Sequence, residues 1–93
     1  MDLEYLKSLG FTEYKFEEGD GIKICYEIEF PLINRAVSYY VFDDNNEQFC
    51  YHEVEEGDII KRGFEDYKLK PLIDFLKDKN KQVKEILENE FVF

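Results

Sequence analysis

His52 is the one histidine in this 93-residue chain, and acid–base or nucleophilic chemistry near neutral pH would start from it. Cys50 lies two positions earlier, so on an extended strand both side chains project from one face. A thiol beside an imidazole can serve as a nucleophile, and the two together can hold a metal weakly. Either role needs a third group, an orienting acid or a further ligand, and no spaced motif supplies one. The hydroxyl nucleophiles are Ser8, Thr12 and Ser38, none in a Gly-x-Ser-x-Gly turn. Asp43-Asp44-Asn45-Asn46-Glu47 has the acid density of a calcium loop without its twelve-residue spacing or central glycine. No glycine-rich phosphate loop precedes a lysine. The reading is a non-enzymatic chain with no cofactor and no metal, in which His52 is a structural or surface residue.

Charge carries more information than these residues do. Residues 1–60 hold fifteen acids against four bases, a net of −11, while residues 61–93 hold seven acids against eight bases, a net of +1. The sum is the formal −10 of the chain. Such a surface repels nucleic acid and anionic membrane and attracts basic protein surfaces. With 44% hydrophobic residues the chain is globular rather than an acidic disordered tail, and its length suits one domain over 1–93. No basic, then apolar, leader opens it and no run reaches membrane-spanning length, so a cytoplasmic protein is expected. Cys25 and Cys50 read as free thiols, with a disulfide between adjacent strands as the alternative.

The elements that must position these groups follow from periodicity. Asp2 caps a short helix bearing Leu3, Tyr5, Leu6 and Leu9, and Gly10 ends it. Thr12 to Glu18 alternates, with Tyr14 and Phe16 on one side and Glu13 and Lys15 on the other, and Gly19-Asp20-Gly21 turns the chain. Ile22 to Phe30 has a strict period of two, setting Ile22, Ile24, Tyr26, Ile28 and Phe30 against Lys23, Cys25, Glu27 and Glu29. Ala36 to Phe42 and Gln48 to Val54 are further strands, joined by the 43–47 turn, and Glu55 to Asp58 is a second acidic turn. Ile59 to Lys70 is not legible as one element; Gly63 argues against a continuous helix there. From Pro71 an apolar stripe runs to Phe91 as one helix, or as two broken near Asn80. The apolar end Phe91–Phe93 is expected to pack on the core or on a partner. The fold expected is α+β: a two-layer sandwich with an N-terminal helix, an antiparallel sheet of about four strands, and a C-terminal helix or helix pair.

A meander of those strands returns the turn after strand one and the turn after strand three to the same end of the sheet. Two strand spacings separate them, roughly 10 Å. Glu17, Glu18, Asp20, Asp43, Asp44 and Glu47 would then form one acidic patch, close enough for like charges to interact at a Debye length of about 8 Å. The outer sheet face offers a second surface of Glu27 and Glu29 with Tyr39 or Tyr40, carboxylates beside aromatic rings as in protein contacts. Both surfaces suit a basic protein, one that handles nucleic acid, and neither suits nucleic acid itself or a membrane.

Small size, acidity and the order helix, strands, helices resemble some anti-CRISPR and related anti-defence proteins of phages. The resemblance lies in layout and charge, and no residue transfers with it. It implies a non-enzymatic inhibitor, a monomer or homodimer, that occupies a basic nucleic-acid-binding surface as an acidic mimic. The alternatives are an immunity- or antitoxin-type protein that neutralises a cationic toxin, and an assembly module that uses its C-terminal helix.

Overall fold

Asp2 opens the first helix as its composition requires: its carboxylate accepts the Glu4 N–H at 2.9 Å. Helix α1 runs Leu3–Leu9 and stops at Gly10, whose φ of 106° is left-handed and whose N–H turns back to Leu6 O and Lys7 O. A β-carbon at Gly10 would stand 3.2 Å from Ile28 Cδ1, so backbone conformation and packing both call for glycine there. The structure, a computed structural model, describes residues 1–15, 19 and 21–90.

Five strands follow: β1 (Thr12–Glu13), β2 (Ile22–Phe30), β3 (Arg35–Phe42), β4 (Glu47–Glu55) and β5 (Asp58–Phe64). They pair in chain order, each antiparallel to the next. The α+β layout is as expected, with five strands instead of about four. The added strand is the stretch that sequence periodicity left unassigned. Its turn is Glu56-Gly57, where both residues have positive φ, 52° and 88°. That is the two-residue hairpin geometry usually signalled by Asn-Gly or Asp-Gly, and glutamate at its first position hides it. Gly63 sits inside β5, opposite Cys50.

One face of the sheet carries the core. Tyr26, Tyr39, Phe49 and Phe64 align across β2 to β5, with ring centroids 5.0 Å apart for Tyr39–Phe49 and 5.3 Å for Phe49–Phe64. Leu6 and Phe11 from the N-terminal segment, and Leu69, Ile73 and Leu76 from the last helix, bury against this row. Each such side chain contributes roughly 1.5–3 kcal/mol through the apolar surface it removes from water.

The last helix, α2, spans Leu69–Glu90 without a break. Pro71 lies in its first turn, where a missing N–H is harmless. The polar run around Asn80 does not interrupt it. Pairs one turn apart, Lys70–Asp74 at 2.7 Å, Gln82–Asp78 at 2.8 Å and Lys84–Glu88 at 3.9 Å, support its exposed side instead. No helix among the described residues is long and apolar enough to cross a membrane. The expected packing of Phe16 and of Phe91–Phe93 lies outside the described residues.

Candidate functional site: the open face of the sheet

Both helices pack on one face of the sheet, and the other face has no second layer among the described residues. Alternation decides what this open face shows. Glu27, Ser38 and Cys50 lie opposite one another on β2, β3 and β4, followed by Glu29, Ala36, His52 and Lys61 one step along. Tyr40, opposite Cys25, belongs to the same face. Tyr39 does not. It is 1% exposed in the core, so of the two tyrosines offered as a partner surface only Tyr40 stands with Glu27 and Glu29. A strand that is apolar on both sides does not reveal its inward face until its neighbours set the register.

Strand pairing also decides the faces of β1. Thr12 pairs with Glu27 and Glu13 with Tyr26, so Thr12 looks outward and Glu13 lies at the edge of the helix side. Phe11, 3% exposed in the core, fixes that phase. Tyr14 accordingly joins the open face, where it lines a cavity of about 470 Å³ with Glu27, Glu29, Tyr40, His52 and Lys61.

Inside this face three side chains from three strands form a line. Ser38 Oγ is 3.1 Å from Glu27 Oε2 and 2.9 Å from His52 Nε2, and Ser38 is 0% exposed. With Glu27 ionised, the single hydroxyl proton goes to the carboxylate, and His52 Nε2–H then donates to Ser38 Oγ. Burial, and then the positive charge of Lys61, holds His52 below the usual imidazole range, consistent with that neutral donor. Burial raises the Glu27 carboxyl, and the neighbouring Glu29 adds to the effect while Ser38 opposes it. The thiols are buried and free. Burial, then the charge of Glu27, pushes Cys25 up to about 11, and burial also raises Cys50. They sit on β2 and β4 with β3 between, roughly 10 Å apart across the sheet, beyond the Cα separation a disulfide spans. The Glu27–Ser38–His52 line was not legible in the sequence. Period-two alternation assigns a residue to a face, but only strand pairing says which residues meet.

The acidic turns are partly described. Glu17, Glu18 and Asp20 lie outside the described residues. Gly21 O accepts the Asp43 N–H at 3.0 Å, so the start of β2 and the β3–β4 turn share an end of the sheet. Asp44 is used within its own turn, accepting the Asn46 N–H at 3.0 Å and Asn46 Nδ2 at 2.8 Å. Glu47 accepts from the Tyr39 hydroxyl and from the Met1 ammonium. Both interactions hold its carboxyl below the usual range, Tyr39 more strongly. Lys23 Nζ reaches Asn45 Oδ1 at 3.1 Å, bringing a base to an end of the sheet that looked acidic only. Among the described residues no group of three or more His, Cys, Asp or Glu is arranged to hold a metal. Comparison with protein-family models, curated proteins and solved structures finds no match to this chain.

Proposed function

We propose that this chain is a non-enzymatic binding domain that occupies a basic surface of a nucleic-acid-handling protein, as an acidic mimic does. The observation that carries the reading is the open face, where Glu27 and Glu29 stand beside Tyr14 and Tyr40 around one cavity. A half-buried carboxylate next to a second one is costly in the isolated chain. A guanidinium or ammonium from a partner would relieve that cost, and tyrosine rings favour the same cation. Ser38 is closed off between Glu27 and His52, and both thiols are kept protonated, so the polar groups of this face suit recognition better than group transfer. Asp43 and Asp44 extend the acid at one end of the sheet, and Glu17, Glu18 and Asp20 belong to the same reading through the sequence.

The test is an NMR titration of the isotopically labelled chain with an arginine-rich peptide of about ten residues, at salt from about 50 to 300 mM. Shift changes concentrated at Glu27, Glu29, Tyr40, Asp43 and Asp44, and an affinity that falls steeply with salt, are expected. Exchanging Glu27 and Glu29 for Gln should weaken binding at least about tenfold. Shifts spread evenly over every acidic residue, or an unchanged affinity in that variant, would overturn the reading.

A further inference from the structure

Helix α2 is anchored by only half its length. Its inward stripe is Leu69, Ile73, Leu76, Asn80, Val83 and Leu87, stepping by four and three residues in alternation, the spacing of a coiled-coil seam. Leu69, Ile73 and Leu76 are fully buried. Asn80 and Val83 are half-buried. Leu87 and the adjoining Ile86 are 41% and 59% exposed. The seam therefore continues past the core into solvent, on a molecule 55 Å long and only 29 by 21 Å across.

Three lysines line the flanks of that seam. At about 100° per residue, Lys77 and Lys84 border it on one side, Lys84 with Glu88 beside it at 3.9 Å, and Lys79 borders it on the other, while Asp78 and Glu85 fall on the far side. Asn80, at the centre, has a carbonyl oxygen shielded from water that accepts no hydrogen bond among the described residues. A polar residue at such a position fixes the number and register of helices in a two-helix seam. A second copy of this chain fits poorly, because a parallel pair sets Lys79 against Lys84 and an antiparallel pair faces the lysine rows with each other. From this geometry we infer that the free half of α2 docks an amphipathic helix of another protein, one with acidic residues bordering its apolar stripe. The docking surface is separate from the open sheet face and does not depend on what that face binds.

The test uses two labelled synthetic peptides of about twenty residues, each with Leu and Ile in the seam and one Asn. One carries Glu on both flanks and the other Lys, so that like charges keep each peptide from pairing with itself. Fluorescence anisotropy with the full chain should show saturable binding of the Glu peptide at least about tenfold tighter than of the Lys peptide. Leu87→Asp should abolish it. Replacing Lys77, Lys79 and Lys84 together with Glu should reverse the preference, and this exposed set decides the matter if Leu87→Asp does not fold. Equal binding of both peptides, saturable binding of neither, or binding that survives Leu87→Asp would overturn the inference. So would a concentration-dependent dimer in sedimentation that Leu87→Asp dissociates, since the occupant would then be a second copy.

Discussion

The Tyr39 hydroxyl donates to the Glu47 carboxylate, tying a ring buried at the centre of β3 to an acid at the start of β4. Burial raises the Tyr39 hydroxyl, and Glu47 reinforces this, so the phenol remains a donor at every working pH. Glu47 is held below its ordinary value. A carboxyl lowered by folding adds stability above its unfolded value, and that contribution is lost as pH falls through the folded one. Tyr39→Phe should cost about 1.5 kcal/mol near neutral pH. The difference from the parent should shrink in acid, below the ordinary carboxylate range, as Glu47 takes up its proton. Urea unfolding near neutral pH and in acid checks it; a pH-independent difference would assign the effect to packing.

Glu27 has the opposite sign. Its carboxyl is raised by folding, so its contribution favours the fold at low pH and is lost as pH rises through the folded value. Glu27→Gln keeps an acceptor for Ser38 and removes the charge beside Glu29. A gain on the order of 1 kcal/mol, about 4–8 °C in Tm, is expected near neutral pH. The same variant should bind a basic partner less well, so stability and binding would move in opposite directions. A lowered Tm would show that the charge itself supports the fold, through Lys61.

Gly10 and Gly57 separate strain from crowding. Both have positive φ, 106° and 88°, but only at Gly10 does an added β-carbon meet a neighbour, Ile28 Cδ1 at 3.2 Å. Gly57→Ala should cost about 1–2 kcal/mol from backbone conformation alone. Gly10→Ala should cost more, and Ile28→Val should recover part of the excess. Thermal unfolding of the three single variants and the double variant measures the coupling.

The cysteines give a test that needs no mutation. With Cys25 near 11, about one thiol in a thousand is ionised at pH 8. An aromatic disulfide reagent should modify neither cysteine in the folded chain and both after unfolding. Rapid reaction of one thiol in the folded state would place it nearer the surface than the structure does.

Helix α2 should show a gradient of sensitivity. Ile73→Ala, in the core, should cost about 2–5 kcal/mol. Leu87→Ala, on the protruding half, should change stability by no more than about 0.5 kcal/mol. Equal costs would mean that the far half packs on something in the isolated chain.

Local patterns made much of this fold legible. Asp2 and Gly10 bound α1, the strict alternation from Ile22 to Phe30 marked β2, and the Asp43–Asn46 run marked the turn after β3. What escaped were features that depend on neighbours. β5 lacks clean alternation, since Ile59 and Ile60 are adjacent and Lys61 and Arg62 follow together, and its turn uses a glutamate where asparagine or aspartate is usual. Tyr39 and Tyr40 are alike in sequence, and only strand pairing sends one inward. The phase of β1 was set by Phe11, outside the strand itself. Of the candidate surfaces, the grouping of Glu27 and Glu29 was foreseeable from alternation, whereas the choice of Tyr40 to join them, the shared hydrogen bonds of Ser38, the turn contacts of Asp44 and the inward tie of Glu47 were not.

The meander order leaves the sheet with two ends of unequal consequence. At one margin β1 offers, among the described residues, two, Thr12 and Glu13. At the other β5 offers seven, and no strand pairs beyond it among the described residues. An unpaired row of amides of that length is a template on which another chain can grow. Lys61 and Arg62, side by side, project to opposite sides of the sheet, Arg62 held by Glu53 at 3.0 Å, so an incoming strand would meet a charged side chain on each face. The pair that blurred the strand in the sequence thus places on that margin the charged side chains by which open edges are commonly guarded against growth.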